Sequence, residues 1–235
     1  MNNQEFLIVL SNSFREFLNT GTSRSNKKLK PLHGAIAKDI AERLGEDYKV
    51  FSQGYGINKE KKIEGRYINK MVDISIENKE GKSICGIALK FIMQNYSQNS
   101  NNYFENMLGE TANIRANNIP YFQIFIIFDK LPYYKKDKTI QKWETFTAHN
   151  IDKYVKLSKD NIDKFFHTPN KTLIYVVHIP DNDEIKTLEE YLSYYQVTKA
   201  DITLTDNIYE SFGNSVILND YEKFMNKVYH TIKAL

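Results

Sequence analysis

The stretch Met71–Met93, MVDISIENKEGKSICGIALKFIM, alternates apolar and polar residues on either side of a short polar break at Glu80 and Gly81. Alternation with a period of two is a strand signal, and two such runs around a Gly-containing turn read as an antiparallel hairpin. With Glu80 and Gly81 as the loop, Lys79 faces Lys82, Glu77 faces Ile84, Ser75 faces Gly86 and Asp73 faces Ala88. Opposed residues share a face, and so does every second residue along a strand. Val72, Ile74, Ile76, Cys85, Ile87, Leu89, Phe91 and Met93 then lie on one side, the expected core side. Asp73, Ser75, Gly86, Ala88 and Lys90 lie on the other, where an acid and a lysine are diagonal neighbours among residues small enough to leave room for a ligand. A slip of one residue would turn one strand's polar set inward, so the pattern favours this pairing parity.

The flanking segments place the hairpin in a layered α/β fold. Asn3–Leu18 and Pro31–Leu44 carry apolar residues at helical spacing, the second with proline at its start and Gly45 just past its end. Tyr48–Gln53 reads as a strand. After the hairpin come a polar loop, QNYSQNSNN, a helix from about Asn101 to Ala116, and YFQIFIIFD, an almost unbroken apolar run suited to a central strand covered on both faces. The strand, helix and strand from Ile87 to Phe128 make a parallel crossover unit. The order is αβββαβ, and the expected architecture is a mixed central sheet flanked by helices. The remainder reads as a Lys-rich loop with Trp143, a short helix near Asp152–Leu157, a strand Thr172–Ile179, and helices Glu184–Tyr195 and Asn219–Ala234. No linker separates these parts, so one domain over residues 1–235 is expected: an N-terminal helix at 3–18, a core at about 31–128 and a C-terminal extension at about 140–235.

Charge and composition narrow the partners. The net charge is +3, but Thr20–Lys70 holds twelve Lys or Arg against six Asp or Glu. A phosphate-rich partner would be drawn to Lys27, Lys28, Lys30, His33, Arg66 and Lys70 there, with salt-dependent affinity. Gln94–Asn118 contains eight asparagines. Amides can read adenine edges and bind phosphates, which makes Gln94, Asn95, Gln98 and Asn99 candidate DNA contacts. No apolar run is long enough to span a membrane, and the single cysteine, Cys85, excludes an internal disulfide and a multi-cysteine zinc site. A cytoplasmic location is expected. The histidines show no zinc or dyad spacing, and no GxxxxGK[ST] or GxGxxG motif points to a nucleotide cofactor.

An acid and a lysine projecting from adjacent strands suit metal-dependent phosphodiester hydrolysis. The acid holds a hard divalent cation, and the lysine orients water or offsets developing charge. The same pair also suits an ordinary cross-strand salt bridge.

The αβββαβ order, the hairpin and the spacing from Asp73 to Lys90 together resemble the PD-(D/E)XK nuclease superfamily, over about Pro31–Phe128. The size and the Tyr/Asn-rich loops are similar to type II restriction endonucleases. Met71-Val72-Asp73 lacks the family's nominal proline, and Ala88 in IALK stands where its second acid belongs. Some members move that acid to the following helix, which here offers Glu105 and Glu110. On an ideal helical wheel both flank the apolar stripe of Phe104, Met107, Leu108, Thr111 and Ile114, on opposite sides, and the wheel does not choose between them. Gly109, which would permit close backbone approach, tilts the choice to Glu110. Glu42 is a further possible ligand, although Lys38 and Arg43 beside it suit a surface ion pair. The resemblance also implies Mg2+ as cofactor, the Leu89 carbonyl as a main-chain ligand, double-stranded DNA as substrate and a homodimer. A DNA-binding protein that lost catalysis with the acid at Ala88, and a repair or structure-specific nuclease, are the alternatives.

Overall fold

Asn2 opens the first helix, α1 (Asn3–Thr20), with a capping box: its side chain accepts from the Glu5 N–H at 2.9 Å, and the Glu5 carboxylate accepts from the Asn2 N–H at 2.8 Å. The computed structural model describes residues 1–21, 28–209 and 211–235. Along the chain follow α2 (Lys30–Leu44), β1 (Lys49–Ser52), β2 (Lys61–Ile63), β3 (Lys70–Val72), β4 (Ile74–Glu77) and β5 (Ser83–Ile92). Then come α3 (Tyr96–Arg115), β6 (Tyr121–Phe128), β7 (Lys130–Tyr134), β8 (Ile140–Thr145), α4 (Ala148–Ser158) and β9 (Lys171–His178), and finally α5 (Leu188–Thr198), β10 (Thr203–Leu204), β11 (Val216–Leu218) and α6 (Tyr221–Lys233).

The architecture is mixed α/β, a mixed sheet flanked by helices. Among the described residues its seven strands run β1-β4-β5-β6-β9-β10, with β11 also on β9. The β1-β4-β5 side is antiparallel, and β5, β6 and β9 are mutually parallel. Every residue of β6 is buried. On one face Phe122 meets Phe224 of α6 and Phe128 meets Phe14 of α1; on the other Phe125 meets Tyr96 of α3 and Tyr154 of α4. That two-sided covering is why the strand reads as a continuous apolar run. Among the described residues no helix is long and apolar enough to cross a membrane.

The hairpin pairs Ile74 with Ile87, Ser75 with Gly86 and Ile76 with Cys85, in the expected register. Beyond Ile76 a bulge intervenes, and Glu77 pairs with Ser83 in place of Ile84. The turn is wider than two residues because the Asn78 side chain accepts from the N–H groups of both Glu80 and Lys82.

At the other end the parity breaks. Asp73 is a bend between β3 and β4, and β3 leaves the main sheet to pair with β2. Val72, expected beside Ile74, therefore packs in a separate cluster with Ile63, Ile114, Ile119 and Tyr121, with Ala88 against it. Space over Gly86 is also taken: a Cβ there would lie 2.7 Å from the Tyr121 ring and 2.8 Å from Ile63. Ser75 and Glu77 are buried on the same side, and Glu77 is paired with Lys61 of β2. Of the polar face, only the Asp73, Ala88 and Lys90 end stays open.

Four further expectations need correction. The polar segment before Asn101 is helical, because buried Tyr96 anchors the first turn of α3 between Phe125 and Phe146. The Lys-rich stretch around Trp143 is a hairpin of β7 and β8. The helix expected from Glu184 starts at Leu188, where Thr187 and Glu190 form a capping box. Near Asp152 the helix is longer than expected, beginning at the Thr147 cap.

Candidate functional site

Asp73, Lys90 and Glu110 line one cleft of about 330 Å3 between the sheet and α3, with Ala88 and Gln123 on its floor. The bend after β3 carries Asp73 there, and its Oδ2 accepts from the Leu89 N–H at 2.7 Å. Its backbone carbonyl accepts from Ser52 Oγ at 2.7 Å, which ties the bend to β1. Burial holds the Asp73 carboxyl above its ordinary pKa, and the Glu110 charge adds to the rise. His33, the Leu89 N–H and Lys90 oppose it.

Glu110 reaches the cleft from α3. Its Oε1 accepts from the Tyr121 hydroxyl, and its Oε2 lies 2.8 Å from Lys70 Nζ. Burial, with Glu110 beside it, pushes the Tyr121 phenol well above its usual range, so it stays a proton donor. Each Glu110 oxygen keeps a second lone pair for a further partner. Glu105 is exposed, lies outside the cleft and acts electrostatically on Lys153. Gly109 has no part in this difference: a Cβ there would meet nothing within 4 Å. What separates the two glutamates is the seating of α3 on the Tyr121 side of β6.

Lys90 is exposed, with Nζ 4.9 Å from the centre of the Tyr103 ring. Lys28, a candidate phosphate contact, is buried, with Nζ 5.4 Å from the Phe17 ring centre. Burial, and the Lys90 charge after it, bring its pKa down to about 8. Lys30 and Arg66 are exposed, Lys70 is engaged with Glu110, and Lys27 lies outside the described residues. Of the amide candidates, Gln98 is exposed and Asn99 bonds to Tyr103, both on α3. Gln94 buries its Oε1, and Asn95 uses its side chain on the Tyr134 backbone at 2.8 Å. Glu42 is exposed and lies 3.7 Å from Lys38, a surface ion pair.

At the start of α2, His33 suits either a phosphate contact with Lys30 or a packing role; it is 4% exposed, so it packs inside. It comes to Glu60 and Asp73, and ligand atoms of the three lie within 4.8 Å of one another. Two glycines make this possible. A Cβ on Gly34 would sit 2.4 Å from the Gly54 carbonyl oxygen, and one on Gly54, at φ +77°, would sit 2.3 Å from that of Lys30. The start of α2 therefore packs backbone to backbone on the turn after β1. Burial holds the His33 imidazole below its ordinary pKa, while Asp73 opposes. Burial and then Asp73 hold Glu60 above its own, against a hydrogen bond from Gln53.

Glu60 and the Tyr121 partner of Glu110 escaped the sequence reading. Glu60 sits in a run of charges without periodicity, and Tyr121 looks like any apolar residue of a buried strand. Searches with this chain matched no protein-family model, no curated protein and no solved structure.

Proposed function

We propose that this chain is a metal-dependent nuclease of the PD-(D/E)XK type, acting on double-stranded DNA as a type II restriction endonuclease and working as a homodimer. The observation that carries the reading is the convergence of Asp73, Lys90 and Glu110, from a bend, a strand and a helix, on one cleft. With β2 and β3 set aside in their own two-stranded sheet, the succession α2, β1, β4, β5, α3, β6 supports it, since it follows the order of elements in that superfamily. Glu110 supplies from α3 the acid missing at Ala88.

The donor set fits Mg2+. Asp73 and Glu110 are hard oxygen donors lining the same cleft, and the Leu89 peptide is tied to Asp73 by its N–H. Bound there, the ion would polarise a phosphate oxygen and acidify a water. The chain's own residues do the rest. The Leu89 N–H fixes Asp73, while Tyr121 and Lys70 fix Glu110, so neither carboxylate has to be ordered when substrate arrives. Lys90, open to solvent at the cleft, holds the attacking water or offsets charge developing on the phosphate. Arg66 and Lys30 are exposed and would meet the DNA backbone.

Incubation of supercoiled plasmid with purified protein, in Mg2+ and in EDTA, tests this. Cleavage in Mg2+ alone is expected, lowered about 100- to 1,000-fold or more by Lys90→Ala and by Glu110→Gln. Glu105→Gln should leave it unchanged. Undiminished cleavage by Asp73→Ala and Lys90→Ala proteins would reject the assignment. DNA binding that never leads to nicking would favour a protein that only binds.

A further inference from the structure

We infer that His33, Glu60 and Asp73 form a second cation site, beside the Glu110 side of the cleft, that takes a first-row transition dication in preference to Mg2+. The inference goes beyond the nuclease reading and shares only Asp73 with it.

The first observation is the imidazole. His33 is 4% exposed, and neither ring nitrogen has a hydrogen-bond partner. Its Nδ1 lies 4.0 Å from Glu60 Oε1, too far for a hydrogen bond. Buried polar groups are nearly always satisfied, and an orphaned one costs about 1–3 kcal/mol. A neutral imidazole facing two carboxylates is relieved when a cation accepts its lone pair.

The second observation is the geometry. The three ligand atoms lie within 4.8 Å of one another. Three ligands about 2.0–2.2 Å from one ion stand on average no more than about 3.5–3.8 Å apart, so the cluster closes by up to about 1 Å when an ion binds. Asp73 is fixed by Leu89 and Ser52, whereas Glu60 sits on the loop entering β2 and can supply that movement. A shallow cavity lined by Lys30, Gln53, Glu60 and Met71 opens beside it and offers an entry path.

The donor set selects the ion. Mg2+ takes oxygen donors and sheds its water reluctantly, whereas one imidazole beside two carboxylates favours the first-row transition dications, of which Mn2+ is the weakest binder and so the most stringent probe. One nitrogen and two carboxylate oxygens leave open positions on the ion for water or a phosphate oxygen.

Mn2+ titration of the metal-stripped full chain, following the electron paramagnetic resonance of the free ion in a large excess of Mg2+, tests the site. The parent should hold Mn2+ against Mg2+, and Glu110→Gln should hold it as well. Glu60→Gln and His33→Gln should each weaken it by about 10- to 100-fold or more, since even outer-shell partners are worth that much. Circular dichroism checks the fold of both variants; should the buried His33→Gln fail to fold, Glu60→Gln carries the test. A parent that keeps no Mn2+ under excess Mg2+, or binding indifferent to Glu60→Gln, would overturn the inference. Mn2+ binding that depends on Glu60 in a protein that never cuts DNA would uphold this site while removing the nuclease reading. Mg2+-dependent cleavage with binding indifferent to Glu60 would do the reverse.

Discussion

The Asp73 carboxyl sits above its ordinary value of 3.8, chiefly through burial. When the folded-state pKa is the higher one, the folded chain binds the proton more tightly. The group then contributes stability below the unfolded value, and that stability is lost as pH rises through the raised folded value. Without cations, ionisation of Asp73 as pH rises through that raised value therefore weakens the fold. Asp73→Asn keeps an acceptor for the Leu89 N–H and removes the charge. In EDTA it is expected to raise Tm over the parent by an amount that grows with pH, reaching a few degrees once Asp73 is ionised in the parent, while abolishing cleavage, a trade of stability for function. Thermal denaturation followed by circular dichroism checks this. The parent, but not the variant, should gain Tm when divalent cations are added.

Two elements, β3 and α3, decide what the cleft looks like, and both are held by side chains distant in sequence. The loop before β3 is tied to α3 by Asn113, whose Oδ1 accepts from the N–H groups of Tyr67 at 2.9 Å and Ile68 at 3.2 Å. Its Nδ2 donates to the Ile68 carbonyl at 2.8 Å. Asn113→Ala is expected to cost about 2–3 kcal/mol in chemical denaturation and to speed amide exchange at Tyr67 and Ile68. Gly86, which alternation alone presents as room for a ligand, is covered by Tyr121 and Ile63. Gly86→Ala should therefore destabilise by about 1–3 kcal/mol through overpacking. Enlarging a vacant floor would instead leave denaturation unchanged. The amide-rich start of α3 shows the same limit. Asparagine is a poor helix former, and two tertiary contacts, the burial of Tyr96 and the Glu144 carboxylate accepting from the Ser97 N–H, explain why the segment is helical.

For the molecule as a whole, the cleft opens near the carboxyl-terminal half of β5, where an antiparallel hairpin gives way to the parallel strands β5, β6 and β9. If Arg66 and Lys30 meet DNA there, affinity should fall linearly with salt on logarithmic axes. Arg66→Ala should then lessen the slope by about one, measured by fluorescence anisotropy. Much of this architecture was legible in local patterns. Alternation set the pairing of β4 with β5, an unbroken apolar run marked β6 as central, and a proline and a glycine bracketed α2, because each depends on neighbours a few residues apart. Three things the linear pattern left undetermined. Val72 changes sides because the chain bends at Asp73; Glu110 rather than Glu105 lines the cleft because of how α3 seats against Tyr121; His33 meets Glu60 and Asp73 because two glycines let α2 touch the turn after β1. Periodicity records which way a side chain points within its own element. The angle and distance at which elements meet are set by packing between residues far apart in the chain, and those contacts leave no mark in a single sequence.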